Sequence, residues 1–266
     1  MRPLTHVPEQ AHDSRPALPS HIHAVVFDID SVITDLSHAQ AVTWTQVLDD
    51  YLEAYEPGAG LRGPEPETEL PRFLDGTPVV GALTSFLEAR GLETGDFGQA
   101  MRTAHALAVR QQTLLQRYLH HYGVGIRRGT AALLSDLRRQ GIARAAVSGT
   151  ARARGLLAAR GLLPLLDVVL DGDDRVHPHA PARPDPARLY RATGLLGVGL
   201  GETAVVDATP DGVEAAARGE FGLVVGLTRA GDLHGMTEMF HRGADVVVHD
   251  LGELAAAPRT TTAAVA

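Results

Sequence analysis

Residues 24–35 read AVVFDIDSVITD, and the rest of the chain is best interpreted from this stretch. Four apolar residues lead into Asp28, and a second carboxylate, Asp30, follows two positions later. A continuous apolar run rich in β-branched residues is typical of a strand buried on both faces. Open α/β sheets bind ligands at the carboxyl ends of their strands, so we expect both acids at such an end. Two neighbouring carboxylates repel each other, and a bound cation is the simplest means of keeping both ionised.

The composition limits the kinds of protein this chain can be. Its 266 residues, 44% hydrophobic and 21% charged, suffice for a sizeable core in one large or two unequal domains. The net charge of −8 argues against nucleic acid or an anionic membrane as a partner. No apolar run reaches the ~18 residues of a membrane helix, and the first residues lack the apolar core of a secretory signal. These features suit a cytoplasmic protein, and they give no prediction of its oligomeric state.

Two residue types are missing, and each absence excludes a chemistry. The chain has no cysteine, which excludes disulfides, thiolate nucleophiles and thiolate metal ligands. All 24 basic residues are arginine, which excludes any mechanism that needs a Schiff-base lysine. An anionic substrate would need a local cationic pocket, because the protein as a whole is negatively charged and repels it.

The hydrophobic pattern divides the chain into segments. Residues 1–20 and 255–266 lack periodicity and are predicted to be a disordered leader and tail. From Gly129 onward, helical and strand patterns alternate, which indicates a parallel sheet with helices on both faces. Between the first two strands the pattern is only helical. We therefore predict an α/β core, formed by residues 21–37 and 124–254, with a helical cap domain inserted after the first strand, over residues 38–123.

The predicted strand ends carry a set of residues suited to phosphoryl transfer. Besides Asp28 and Asp30 at the first strand, Ser148 follows the second, Arg183 follows the third and Asp207 ends the fourth. Carboxyl ends of parallel strands share one edge, so these groups should converge there. Phosphoryl transfer requires a nucleophile, a proton donor for the leaving oxygen and positive charge, and this set supplies all three.

Each of these residues also has a purely structural interpretation. Asp28 and Asp30 could cap local backbone N–H groups in a turn that follows the strand. Ser148 or Asp207 could cap the helix that follows it. Arg183 could be an ordinary loop arginine. The aspartates within residues 171–174 resemble a metal site, but a turn after a strand is the better interpretation. Ser37 is predicted to be the N-cap of the first helix in the cap domain.

Several longer sequence motifs occur in the same order in a known family. FDIDSVITD resembles an FD-x-DGV-x-TD opening, AVSGT resembles AxSxS, RPDPARLY resembles KPDPxxF, and VDATPDGVEAA resembles EDAxxGVEAA. Together they resemble the β-phosphoglucomutase-like subfamily of the haloacid dehalogenase (HAD) superfamily, over residues 22–252. The resemblance implies a HAD-type Rossmann-like core with a helical cap. It also implies a Mg²⁺-dependent enzyme that carries phosphate on an aspartate.

The resemblance implies a role for each candidate residue. Asp28 would be the nucleophile and a Mg²⁺ ligand, and Asp30 would act as general acid and then base, with its backbone carbonyl on the metal. Asp207 would complete the Mg²⁺ ligands. Ser148 would hold the phosphate, and Arg183 would replace the family lysine. Two further positions are predicted to bind substrate, Gly149 and Arg152.

The chain also departs from the family pattern. Ser31 replaces the usual glycine after the second aspartate, Val206 replaces the first acid of an acidic pair, and Gln40 replaces a frequent histidine. Ala151 and Arg152 stand where phosphomutases hold a second phosphate. The residues that would hold a second phosphate are therefore missing, which favours a phosphatase acting on a small phosphorylated, sugar phosphate-like metabolite. The alternatives are a sugar phosphomutase and a non-catalytic HAD-like binding protein.

Overall fold

The computed structural model describes most of the predicted core and much of the predicted cap. The described residues are 18–65, 70, 79–92, 95–149, 153–172, 174 and 184–255. Most of the predicted leader and tail lie outside these ranges, and the predicted disorder there stays a prediction.

Six strands form one parallel sheet within the described residues. In chain order they are β1 (Ala24–Asp28), β2 (Ala143–Val147), β3 (Val168–Leu170), β4 (Thr203–Asp207), β5 (Leu223–Leu227) and β6 (Val246–Val248). Their spatial order is β3-β2-β1-β4-β5-β6. β1, predicted over residues 22–27, is fully buried, as its apolar run indicated. The predicted parallel α/β sheet is confirmed.

Eight α-helices are present in the described part of the chain. They are α1 (Leu36–Tyr55), α2 (Val79–Glu88), α3 (Phe97–Tyr122), α4 (Thr130–Arg139), α5 (Ala153–Ala159), α6 (Ala187–Leu196), α7 (Pro210–Arg218) and α8 (Leu233–His241). Helices α4 and α5 contribute leucines to the apolar cluster on one face of the sheet. Helices α6, α7 and α8 cover the opposite face. No helix among the described residues is long and apolar enough to cross a membrane.

Helices α1, α2 and α3 lie between β1 and β2 in the chain and share an apolar cluster of their own. Trp44 and Leu48 of α1, Phe86 of α2 and Leu107 of α3 are buried together in it. Inside the α1–α3 contact, the Gln111 side-chain amide donates a hydrogen bond of 3.0 Å to the hydroxyl of Thr43. This helical segment coincides with the predicted cap, whose status as a separate domain stays a prediction.

The two chain segments that join the sheet to the helical segment pair with each other. Thr34 and Ile126 form an antiparallel bridge. The Asp35 N–H donates to the Gly125 carbonyl at 3.2 Å. A side chain at Gly125 would displace the Asp35 carboxylate, which occupies the space where a Cβ would lie. The segment that follows β1 and the segment that returns to the sheet before β2 are therefore held side by side.

The predicted N-cap of α1 is wrong. The helix begins at Leu36, so Ser37 already lies within its first turn. Asp35 occupies the N-cap position but makes no capping hydrogen bond with its side chain. The pairing of Asp35 with Gly125 fixes where the chain leaves the sheet, and this tertiary contact outweighs the local preference for serine as a cap.

The edge of the sheet is held by an ion pair between Arg144 of β2 and Asp167, just before β3. The Asp167 carboxylate accepts hydrogen bonds from the Arg144 N–H at 2.8 Å and from its guanidinium at 2.6 Å. The Arg144 side chain is only 8% exposed, whereas that of Asp167 is 43% exposed. A buried guanidinium depends on such a carboxylate, because an unpaired buried charge is costly.

We expect Asp167→Ala to lower the free energy of unfolding by about 2 kcal/mol, because it leaves the Arg144 guanidinium without its partner. Asp136→Ala is the matched control, because it removes a carboxylate whose partner, Arg139, is exposed. That change should cost less than about 0.5 kcal/mol. Urea unfolding followed by circular dichroism measures both values. Equal decreases in the free energy of unfolding would show that burial of Arg144 does not strengthen its ion pair with Asp167.

Candidate active site

Asp28 is the last residue of β1, and the chain continues into a π-helical turn over Ile29–Ile33. One carboxylate oxygen of Asp28, Oδ2, accepts two hydrogen bonds from Ser31, from its backbone N–H at 2.7 Å and from its hydroxyl at 2.8 Å. Both residues are buried, with Asp28 2% exposed and Ser31 3% exposed. The turn thus holds the Asp28 carboxylate in place directly at the strand end.

Asp30 lies within the same turn, and its carboxylate faces the second strand. The hydroxyl of Ser148, the residue after β2, lies 2.8 Å from Asp30 Oδ1 and 2.9 Å from Oδ2. Ser148 is fully buried, whereas Asp30 is partly exposed. The hydroxyl can give Asp30 one hydrogen bond, shared between the two oxygens. Residues 118 positions apart in sequence therefore meet at one edge of the sheet.

Asp207 ends β4, and its carboxylate is held by the start of helix α7. Oδ1 accepts hydrogen bonds of 2.8 Å from both the N–H and the hydroxyl of Thr209. Thr209 is also the N-cap of α7, since its oxygen accepts from the Gly212 N–H at 3.1 Å. The Asp207 carboxylate fills the space where a Cβ of Gly212 would lie. The helix is therefore capped by Thr209, and the alternative interpretation of Asp207 as its cap is wrong.

The strand register brings these groups to the same level of the sheet. Asp28 pairs with Val147, so Ser148 comes next along β2. On the other side of β1, Phe27 pairs with Val206, which places Asp28 and Asp207 one step further along their two strands. Neighbouring parallel strands are about 4.8 Å apart. Asp28 and Asp207, both buried, thus lie at neighbouring strand ends on the carboxyl edge of the sheet.

The donor set at this edge fits Mg²⁺. The carboxylates of Asp28 and Asp207 and the backbone carbonyl of Asp30 offer only oxygen ligands, which Mg²⁺ prefers. Among the described residues, no group of three or more His, Asp and Glu side chains is arranged to hold a metal. The Asp30 carboxylate is turned towards Ser148, so the third protein ligand that we expect is its backbone carbonyl.

The remaining predicted site residues are only partly described. Gly149 follows Ser148, is exposed, and has open space where a side chain would be. Arg152 and Arg183 lie outside the described residues, as does Ala151. Their roles in binding substrate stay predictions. Val206, which stands where the family motif has an acid, is buried in the apolar cluster on one face of the sheet.

The acidic stretch after β3 forms a turn, as predicted for the residues that are described. The Asp174 N–H donates to the Asp171 carbonyl at 3.0 Å, and the Asp171 N–H donates to the Asp174 carboxylate at 2.9 Å. The hydrogen bond from the Asp171 N–H lowers the pKa of the Asp174 carboxyl, and the nearby charge of Arg154 also lowers it. Asp171 is buried and accepts from the Arg154 N–H, near the start of α5. These acids stabilise a turn next to the site.

Three contributors were not predicted from the sequence as parts of the site. They are Ser31, Thr209 and Gly212, and each of them orders a carboxylate or makes room for it. A usable signal was present for two of them. Thr209 stands directly before a proline and three residues before Gly212, a spacing typical of a helix N-terminus. The donor role of the Ser31 hydroxyl depends on the π-helical turn, which no local pattern indicates.

Comparisons with known proteins agree with this architecture. A sequence model of the haloacid dehalogenase-like hydrolase family matches residues 22–219. The chain is 31% identical over 243 residues to a beta-phosphoglucomutase from Mycobacterium tuberculosis, covering 89% of this chain and 93% of that protein. A crystal structure of beta-phosphoglucomutase from Clostridium difficile matches with a TM-score of 0.60 and 20% identity, covering 88% of this chain and 93% of the other.

A second structure, a HAD family hydrolase from Deinococcus radiodurans with bound phosphate and sodium, has a TM-score of 0.63 and 23% identity. The match covers 88% of this chain and 94% of the other. At these identities the structures show a shared fold, while the sequence match over most of the chain shows the family. The chain belongs to the haloacid dehalogenase-like hydrolases.

Proposed function

We propose that this protein is a Mg²⁺-dependent phosphatase that acts on a small phosphorylated metabolite, resembling a sugar phosphate, through an aspartyl-phosphate on Asp28. The observation that carries the proposal is the position of Asp30. Its carboxylate is held by the Ser148 hydroxyl at the edge of the sheet where Asp28 ends β1. A nucleophilic carboxylate with a separate acid and base beside it is what the hydrolysis of an alkyl phosphate requires.

The chain's residues would act in two steps. In the first, an Asp28 oxygen attacks phosphorus, the bond to the alcohol oxygen breaks, and Asp30 gives that oxygen a proton. In the second, Asp30 takes a proton from water as the water attacks phosphorus, and Asp28 leaves as a carboxylate. Mg²⁺ held by Asp28, Asp207 and the Asp30 carbonyl would offset the negative charge that otherwise keeps the carboxylate and the phosphate apart.

The other proposed contacts hold the phosphate and the rest of the substrate. Ser148 would donate its hydroxyl to a phosphate oxygen, and the exposed Gly149 would offer a backbone N–H beside it. Arg183 would supply positive charge to the phosphate and Arg152 would contact the substrate, roles that depend on the sequence motifs. The helical segment would select the substrate. The cytoplasmic location stays a prediction from composition.

A second candidate is a sugar phosphomutase, and one observation favours it. The Mycobacterium tuberculosis relative with 31% identity is named beta-phosphoglucomutase. A mutase has to bind two phosphates, and Ala151 and Arg152 replace the residues that would hold the second. The test is incubation with a hexose 1-phosphate, with and without a bisphosphate primer. Conversion to the 6-phosphate, stimulated by the primer, would establish the mutase, whereas release of free sugar and phosphate would establish the phosphatase.

We expect Asp28→Asn to reduce phosphate release from sugar phosphates by at least about a thousandfold, because an amide oxygen cannot act as the nucleophile. A colorimetric phosphate assay with Mg²⁺ across a panel of sugar phosphates measures the loss. Asp136→Asn, a change on α4 at a partly buried residue outside the proposed site, is the control and should keep full activity. Release that persists in Asp28→Asn would exclude the aspartyl-phosphate. A wild-type protein that neither binds Mg²⁺ nor hydrolyses any phosphate ester would instead favour the non-catalytic binding protein.

We expect Gly212→Ala to weaken Mg²⁺-dependent activity, because the new methyl group would overlap the Asp207 carboxylate and displace it. The Mg²⁺ concentration for half-maximal activity should rise about tenfold, in line with the loss of a well-placed ligand. Gly194→Ala in α6 is the matched control, since a Cβ there meets no atom within 4 Å. Magnesium titration of phosphate release compares the two variants. An unchanged Mg²⁺ requirement in Gly212→Ala would show that Asp207 does not serve the metal.

A further inference from the structure

The contact between Ser31 and Asp28 is not used in the mechanism described above. Both Ser31 donors reach the same oxygen, Asp28 Oδ2, at 2.7 Å from the N–H and 2.8 Å from the hydroxyl. A glycine, as in the FD-x-DGV-x-TD opening that the chain resembles, would supply only the N–H. In this chain the proposed nucleophile therefore has an additional hydrogen-bond donor, supplied by a side chain that is 3% exposed.

The position of this donor gives the two Asp28 oxygens different roles. With Ser31 bound to Oδ2, the phosphoryl group would be attached to Oδ1, and Oδ2 would become the carbonyl oxygen of the aspartyl-phosphate. When the intermediate breaks down, the bond between Oδ1 and phosphorus breaks and its electron pair returns to the carboxylate. Negative charge is then shared with Oδ2, where the Ser31 hydroxyl and N–H already point. Donors placed where charge develops lower the barrier of a step.

We propose that the Ser31 hydroxyl accelerates hydrolysis of the aspartyl-phosphate in this chain. The inference rests on the proposed function. In the step concerned, water oxygen bonds to phosphorus, Asp30 takes the water proton, and the Asp28 carboxylate leaves with the bonding electrons. No further reactant is needed. Ser31 acts through Asp28 and is thus a positioning residue.

The same donor has the opposite effect on the first step. A hydrogen bond that stabilises the Asp28 carboxylate makes it a weaker nucleophile towards the substrate, and a better leaving group from the intermediate. Removal of the hydroxyl should therefore slow dephosphorylation while phosphorylation stays equal or becomes faster. General damage to the site would slow both steps. The two explanations therefore predict different kinetics.

The test is Ser31→Gly, which keeps the backbone N–H, with Ser31→Ala as a second variant in case the glycine loosens the turn. The probe is para-nitrophenyl phosphate with Mg²⁺ in a stopped-flow instrument. The initial burst of nitrophenol reports phosphorylation of the enzyme, and the steady rate reports dephosphorylation. Thr193→Val is the control, because it removes a buried hydroxyl in α6 whose oxygen has no hydrogen-bond partner in the described part of the chain.

We expect dephosphorylation in both Ser31 variants to be about tenfold slower. Both kcat and KM should fall together, kcat/KM should be unchanged or higher, and a burst should approach one nitrophenol per enzyme. Thr193→Val should behave like the wild type. Equal decreases in kcat and kcat/KM without a larger burst, or no change at all, would overturn the inference while leaving the phosphatase intact. A wild-type protein without turnover would overturn the proposed function and the inference together.

Discussion

The structure depends on the stabilisation of two buried carboxylates at neighbouring strand ends. Asp28 and Asp207 are 2% and 5% exposed, and buried charges are costly unless they are paired or hydrogen-bonded. The chain uses the same solution twice. A hydroxyl residue two or three positions later donates both its N–H and its hydroxyl to one carboxylate oxygen, Ser31 to Asp28 and Thr209 to Asp207. Each acid is therefore stabilised by its own loop, before any ligand binds.

These hydrogen bonds from Ser31 and Thr209 also determine the path of the chain around the site. At β1 they require the π-helical turn, which ends at Ile33 and leads directly into the bridge between Thr34 and Ile126. The bridge holds together the two connections to the helical segment. The residues that hold the proposed nucleophile are therefore covalently continuous with the base of that segment, only a few residues away. At β4 they require the N-cap of α7 and the absence of a side chain at Gly212.

The sequence was sufficient for the features that depend on hydrophobic pattern and chain order. The apolar run before Asp28 predicts a strand buried on both faces, and the shared edge of parallel strands predicts that Ser148 lies near Asp28. Features set by contacts between side chains were not found. Ser37 was a good cap by composition, but the pairing at Asp35 fixed the start of α1. The donor role of Ser31 and the contact between Asp30 and Ser148 depend on a turn and a register, which single residues do not encode.

The contact between Asp30 and Ser148 also has a consequence for the order of events at the site. Ser148 has one hydroxyl proton, and in this structure it points to the Asp30 carboxylate. If the same hydroxyl holds a phosphate oxygen, as proposed, that proton has to turn away from Asp30. The Asp30 carboxylate then loses the hydrogen bond that it accepts from Ser148. Binding of the phosphate at Ser148 would in this way release the Asp30 carboxylate from its contact with Ser148, so the roles proposed for these two residues depend on a single hydroxyl.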